Sequence, residues 1–346
     1  MKELKYLFAY TIPVVTILGL LLQGVYTYLT PIYAFLIIPL LELFTDSSEQ
    51  NLDDKARLSI AKKKIFDWML YINLPLVYGI LYFTLVTVTS TSLALYEVIG
   101  IIISTGIVLG ANGINVGHEL GHRFTKERFI GKALLLPSLY MHFYIEHNYG
   151  HHLKVATKED PATAKYNHTV YQFWVTSIIG QYINAWKIQL ELLKHTNSHF
   201  ISLKNDMFWY LIITILYVLT VTIFFNIYGS LIITLSAIVG FLLLETINYI
   251  EHYGLTRTKT ATGRYERVTE IHSWNSNHTI GRIMLYELTR HSDHHHRASK
   301  KYQLLDHHDK SPQLPFGYPT SMVLCLFPPL WFLIMNKRVP REMKNL

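Results

Sequence analysis

The chain has 346 residues, a formal net charge of +7, and a composition that is half hydrophobic, 14% aromatic and only 16% charged. So large an apolar share excludes an ordinary soluble domain and places the chain among polytopic membrane proteins. The positive charge reads as a topology signal, with an acidic protein partner as the second reading and no nucleic-acid partner expected.

Lysine and arginine are absent from 6–54, 65–122 and 205–256. Each stretch is long enough for two crossings of roughly 20 residues joined by a short turn. The pattern predicts helices at Tyr6–Gln23, Tyr28–Leu43, Trp68–Thr89, Leu93–Val116, Met207–Phe225 and Ser230–Ile247. The first is expected to be an anchor, since the run is long and pairs with a second helix, and not a cleaved signal. Lys55, Arg57, Lys62, Lys63, Lys64, Arg123, Lys126 and Arg128 lie between the hairpins. The positive-inside rule puts those segments and both termini in the cytoplasm.

Between the first two hairpins, 45–67 reads as a polar connector. The fourth helix carries Gly106, Gly110, Gly113 and Gly117 along one face, with Asn112 and Asn115 near its end. Close helix packing explains such a face. The sharper reading is that Gly106, Gly110, Asn112 and Gly113 leave room for an elongated apolar substrate. Within 123–204, Tyr171–His195 mixes tryptophan and aliphatic residues with glutamine and lysine, which suits a helix lying in the membrane interface. The apolar Met322–Met335, interrupted by Pro328 and Pro329, is short for a crossing. No repeat or domain boundary is evident. The expected fold is all-α and integral to the membrane: one domain over 1–346, six transmembrane helices, and a cytoplasmic histidine-rich cap (117–204 and 248–346) holding a dinuclear metal site.

Nine histidines carry the chemistry. His118 and His122 are four apart on a helix, so both rings project from one face. His147 and His151 repeat that spacing, and His152 follows. His252 stands at the end of the sixth span, and His291, His294 and His295 form the last cluster. All lie on the expected cytoplasmic side. A catalytic zinc site uses three protein ligands and a structural one four, so nine suit two metals with four or five each. Imidazole suits iron, copper, zinc and nickel alike. Glu119, Glu146, Glu251 and Asp293 adjoin the clusters and are expected to orient the imidazoles through their second ring nitrogen, or to serve as occasional ligands. His142, His168, His195, His199, His272, His278, His307 and His308 lack ligand spacing, and His296 only extends the last cluster.

Cys325 is the lone cysteine, which excludes an internal disulfide and a cysteine-ligated iron–sulfur or rubredoxin-type centre. Neither a G-x-G-x-x-G nor a G-x-x-x-x-G-K-[ST] motif occurs, so electrons for redox chemistry must come from another protein.

The segments His118-Glu-Leu-Gly-His122, Glu146-His-Asn-Tyr-Gly-His-His152, Asn248-Tyr-Ile-Glu-His-Tyr-Gly-Leu255 and Leu288-Thr-Arg-His-Ser-Asp-His-His295 resemble the four signatures of the integral-membrane alkane monooxygenases. Asp160-Pro161, Ser273-Trp-Asn-Ser-Asn277 and Ser311-Pro-Gln-Leu-Pro-Phe-Gly-Tyr318 extend the likeness, while Arg123 and Thr289 depart from it. The resemblance implies that the nine clustered histidines bind two non-haem iron ions. It also implies O2 as co-substrate and electrons from rubredoxin (or a ferredoxin-like donor) and its NAD(P)H-dependent reductase. An apolar substrate drawn from membrane lipid would become a primary alcohol, in a bacterial inner membrane. Xylene-type alkylarenes or fatty acyl chains are the alternative substrates. A zinc protease reading of His118-Glu-Leu-Gly-His122 strands the other histidines. A metal transporter would place its site near the bilayer midplane.

Overall fold

The computed structural model describes residues 2–344. Among them the architecture is helical, and the extended pairings are isolated bridges such as Ser47–His278 and Asn275–Gln313. Five helices among the described residues are long and apolar enough to cross a membrane: α1 (Glu3–Leu22), α2 (Gly24–Leu43), α3 (Ile65–Ser90), α4 (Leu95–Gly121) and a 47-residue helix, Asp206–His252. The cap adds α5 (Thr125–Leu135), a helical segment α6 over 143–154, and α7 (Val170–His195). The 47-residue helix is α8, followed by α9 (His291–His296), α10 (Tyr318–Cys325) and α11 (Pro328–Met335).

Over 207–247, where two spans are expected, the helix Asp206–His252 reverses sharply. Phe225 and Asn226 have non-helical backbone angles, and Asn226 sits at φ 56°. Its side-chain oxygen accepts from the Tyr228 and Gly229 amides at 2.8 and 3.3 Å. Past the turn, the Ser230 hydroxyl donates to the Val218 carbonyl at 3.4 Å. An unbroken helix would hold residues twelve apart about 18 Å from one another. α8 is therefore two antiparallel arms, and the turn falls in the gap at 226–229 between the two expected spans.

The glycine face of α4 is a packing surface. A Cβ on Gly106 would lie 2.4 Å from the Val239 Cβ, and one on Gly240 would lie 3.3 Å from the Gly106 carbonyl oxygen. Further along, Gly117 and Gly131 bring α4 and α5 together, since a Cβ on Gly131 would stand 2.8 Å from the Gly117 oxygen. Small residues let the backbones approach to this distance. Buried polar pairs fix the register. Asn112 donates to Asn73 Oδ1 at 2.8 Å.

α7 starts at a capping box in which Thr169 and Gln172 exchange hydrogen bonds. It buries Phe173, Ser177, Gln181 and Ala185 and exposes Val175, Ile179 and Ile183. The Glu245 carboxylate in α8 collects hydrogen bonds from Tyr140 (2.8 Å), Ser177 (2.6 Å) and Gln181 (2.8 Å), which staples α7 to α8. The apolar stretch near the C-terminus folds as the two short helices α10 and α11, with prolines at the first turn of each. Around them Trp331, Tyr318, Tyr253 and Trp274 form a second core inside the cap.

Candidate metal centre

Three helical segments and the end of a fourth converge on one point. α4 continues past the expected end at Val116 to Gly121 and brings His118, with His122 as its C-cap. Residues 147–151 of α6 form a π turn, in which the His152 amide donates to the His147 carbonyl. This i→i+5 bonding widens the helix, a feature concentrated at functional sites. α8 ends on His252, and α9 carries the last three ligand candidates.

All nine expected histidines assemble, in two groups. His118, His122, His147, His152 and His294 form one, and His151, His252, His291 and His295 the other; within each group the ligand atoms lie within 4.8 Å of one another. Neighbouring Nε2 atoms are 3.0 Å apart for His118–His294 and His152–His147. They are 3.2 Å apart for His151–His295 and 2.9 Å for His295–His291. Metal–nitrogen bonds of about 2.0–2.1 Å place neighbouring ligand nitrogens roughly 3 Å apart, so the spacing is that of a coordination shell.

Sharing differs from what linear spacing implied. His147 and His151, four apart, fall in different groups, and His147 pairs with His152 five residues on. The π turn is the reason. In α9, His291 and His295 share a group while His294 turns to the other.

The acids are placed unequally. Glu251 Oε2 lies 3.1 Å from His291 Nε2, and its other oxygen accepts from the Tyr318 hydroxyl at 2.8 Å. Glu251 therefore reaches the ligand-bearing nitrogen itself. Glu119 accepts instead from Arg123 (2.8 Å) and the Tyr302 amide (3.2 Å). Arg123 continues to Asp67, tying α3 and α4 to the cap. Asp293 binds Lys300 and His308 and the Asp306 amide, which anchors the loop after α9. Glu146 accepts from Asn184 at 3.0 Å. Burial, with the Asp160 charge beyond it, pushes the Glu146 carboxyl up to about 8.

Asp160 is the residue that motif spacing overlooked. Its Oδ2 accepts from His151 Nδ1 at 2.9 Å and from the Thr163 hydroxyl at 2.6 Å. Burial alone would raise this carboxyl, but the His151 imidazole and the hydrogen bonds outweigh it and hold it low. With Nδ1 donating, the His151 Nε2 lone pair faces the group interior. Asp160-Pro161 stood out in the sequence as part of a resemblance, but with no adjacent histidine to give it a role.

Electrostatics favour a bound cation. Burial, then repulsion from neighbouring imidazoles, drives His147, His291 and His295 well below the usual histidine range. Burial, then the charge of His151, lowers His294 to about 3. His291 and His295 each bury an Nδ1 without a hydrogen-bond partner. Neutral rings with lone pairs turned inward fit two metal ions, whose charge would satisfy nitrogens that cannot all satisfy each other.

An apolar cavity ends at both groups. His118 and His147 of the first, and His291 of the second, line it together with Glu251. Ile107, Gly110 and Leu243 form its walls, and Ile12, Phe35 and Ile38 close it on the α1–α2 side. Of the four residues expected along a substrate path, Gly110 lines this cavity. Gly106, Gly113 and Asn112 are engaged in helix contacts instead. The remaining histidines have other occupations: His307 bonds Asn277 at 3.0 Å, His278 bonds Ser276 at 3.0 Å, and the His142 ring packs edge-on to Tyr140 and Tyr182. His296 is exposed, its ring 6.2 Å from that of His308.

Residues 91–321 match the fatty acid desaturase family. Alkane 1-monooxygenase 2 of Alcanivorax borkumensis is 37% identical over 311 residues, covering 89% of this chain and 81% of the relative. Alkane 1-monooxygenase 2 of Pseudomonas aeruginosa is 41% identical over 242 residues, covering 70% and 64%. Alkane 1-monooxygenase of Pseudomonas putida is 33% identical over 304 residues, covering 88% and 75%. Taken with nine histidines gathered in two groups at the end of an apolar cavity, these likenesses show that the chain belongs to the alkane 1-monooxygenase family, membrane oxidoreductases related to the fatty acid desaturases.

Proposed function

We propose that this protein hydroxylates the terminal carbon of medium-chain n-alkanes to give primary alcohols. The observation that carries the reading is the apolar cavity whose inner end is formed by ligands of both histidine groups. His118, His122, His147, His152 and His294 would hold one iron, and His151, His252, His291 and His295 the other, with Glu251 within reach of the second. Two irons held there would supply the activation of O2, the co-substrate, that an unactivated C–H bond requires.

The chain's own residues do the rest. Ile12, Phe35, Ile38, Ile107 and Leu243 enclose the substrate in hydrocarbon, so an alkane arriving from lipid finds an equally apolar surrounding and needs no polar contact. The same walls exclude water from the reacting carbon. Gly110 keeps the α4 wall low beside the cavity. Asp160 orients His151, and Tyr318 orients Glu251 through the hydrogen bonds described above.

In this reading α1–α4 and the two arms of α8 make six crossings of a bacterial inner membrane. The cap and both termini face the cytoplasm, where rubredoxin, itself reduced by an NAD(P)H-dependent reductase, would deliver electrons. The sparing of 6–54, 65–122 and 205–256 from lysine and arginine supports that orientation.

Iron quantification and Mössbauer spectroscopy of the purified protein, followed by turnover of octane and of xylene with reduced rubredoxin, test the proposal. Two irons per chain and octan-1-ol as main product are expected. Zinc in place of iron would refute it, and faster turnover of xylene would move the substrate to alkylarenes.

A further inference from the structure

A second, smaller pocket lies on the opposite side of one wall of the cavity. Leu36, Leu40 and Leu43 line it from α2 together with Phe316, and all four are exposed on the outside of the fold. The same helix turns Phe35 and Ile38 into the cavity that ends at the histidines. Across the wall, Gly317 faces the outer pocket while Pro319, two residues on, faces the cavity. Gly281 lines the cavity as well.

Glu42 is the polar element of this wall. It lines the outer pocket and is only 5% exposed. One carboxylate oxygen accepts from the Gly281 amide at 3.1 Å. The other, Oε2, is buried and has no hydrogen-bond partner. It lies against Gly317, where a Cβ would come within 2.0 Å of it. A buried acceptor left open is costly and calls for a donor. Near the end of an apolar helix, such a group marks a functional site more often than a structural one.

The substrate proposed above has no donor to offer, whereas its product has a hydroxyl. We propose that Glu42 binds the hydroxyl of the primary alcohol at a lateral exit, through which product passes from the cavity between α2 and the start of α10 into lipid. The inference rests on the alkane hydroxylase reading for the identity of the alcohol. Gly281 orients the carboxylate, and Gly317 leaves the space that its Oε2 occupies. The binding step is a hydrogen bond from O–H to carboxylate, with no covalent change. It distinguishes product from substrate where shape alone cannot, since the two chains differ by one oxygen atom.

The test uses the full chain in lipid nanodiscs, loaded with iron, and measures binding of radiolabelled octan-1-ol and of octane. Glu42→Leu should weaken octan-1-ol binding about tenfold, as expected for the loss of one buried hydrogen bond, and leave octane binding within about twofold. Glu42→Gln keeps an acceptor oxygen and should restore most of the difference. Gly317→Ala would set a Cβ 2.0 Å from Oε2 and so push the carboxylate out of its place. It should slow steady-state turnover of octane while the first turnover keeps its rate. Equal loss of octane and octan-1-ol binding in Glu42→Leu would assign the residue a packing role and overturn the exit, as would unchanged binding of both. A wild-type protein that converts no octane would instead defeat the functional reading on which the alcohol rests.

Discussion

The two halves of the metal centre are built differently. The group of five draws His118 and His122 from α4, His147 and His152 from α6, and His294 from α9. Among the described residues no carboxylate comes within 4 Å of these imidazoles. The group of four draws on α6, α8 and α9, and it has acids at hand: Asp160 on His151 and Glu251 at His291. The half short of one imidazole is the half with a carboxylate 3.1 Å from one of its ring nitrogens. Five neutral donors leave the full metal charge in place, whereas a carboxylate offsets part of it. The two ions would therefore differ in affinity and potential even if chemically identical.

His151→Ala removes a donor from the group of four and should have the largest effect. About one iron per chain should remain, and turnover should fall by more than about a hundredfold, the upper range for changes one shell further out. Iron content and single-turnover assays read this; retained activity would remove His151 from the site. Next come Glu251→Gln and Asp160→Asn, each expected to weaken one ion by about 10–100-fold in chelator competition while the other is released as in wild type. If both ions weaken together, the halves are not independent and the comparison fails.

Acid should separate them less sharply. Burial, then neighbouring imidazoles, lowers His147, His152 and His295, so the unfolded chain takes up these protons before the folded one does. Their contribution makes the metal-free fold lose stability as pH drops below the ordinary histidine value of about 6.5, and protons compete with metal over the same range. For His151 burial is outweighed by Asp160, and the ring is raised; its term has the opposite sign, present below about 6.5 and lost as pH rises. Iron retention between pH 7.5 and 5 should fall with a slope steeper than one proton, and a flat profile would contradict the burial of the cluster.

The smallest effect is expected at His307, which lies outside both groups and bonds Asn277. His307→Ala should cost about 1 kcal/mol through that hydrogen bond. Both irons should stay in place, as metal analysis beside a thermal melt would show.

The nine clustered histidines and the hairpins were legible in the sequence because each rests on a local rule. Absence of lysine and arginine over long windows marks apolar segments, and histidine spacing on a helix marks shared faces. What lay beyond local rules was the division of the ligands. His151 and His152 are neighbours in the chain yet serve different groups, because a π turn rotates them apart and α8 and α9 approach from different sides. Likewise the acids next to the histidines were assigned by adjacency, but Glu119 and Asp293 are engaged by Arg123 and Lys300, while Asp160, nine residues from His151, reaches the imidazole. The α4 glycines read first as packing and second as a channel, and α8 set against them bears out the packing while leaving Gly110 on the cavity. Composition and periodicity depend on each residue and its near neighbours, so the chain alone determined the donor set and the apolar helices. Which imidazoles gather in which group, which carboxylate turns to which ring, and which residues line the cavity depend on packing between distant segments, and only the tertiary structure decided them.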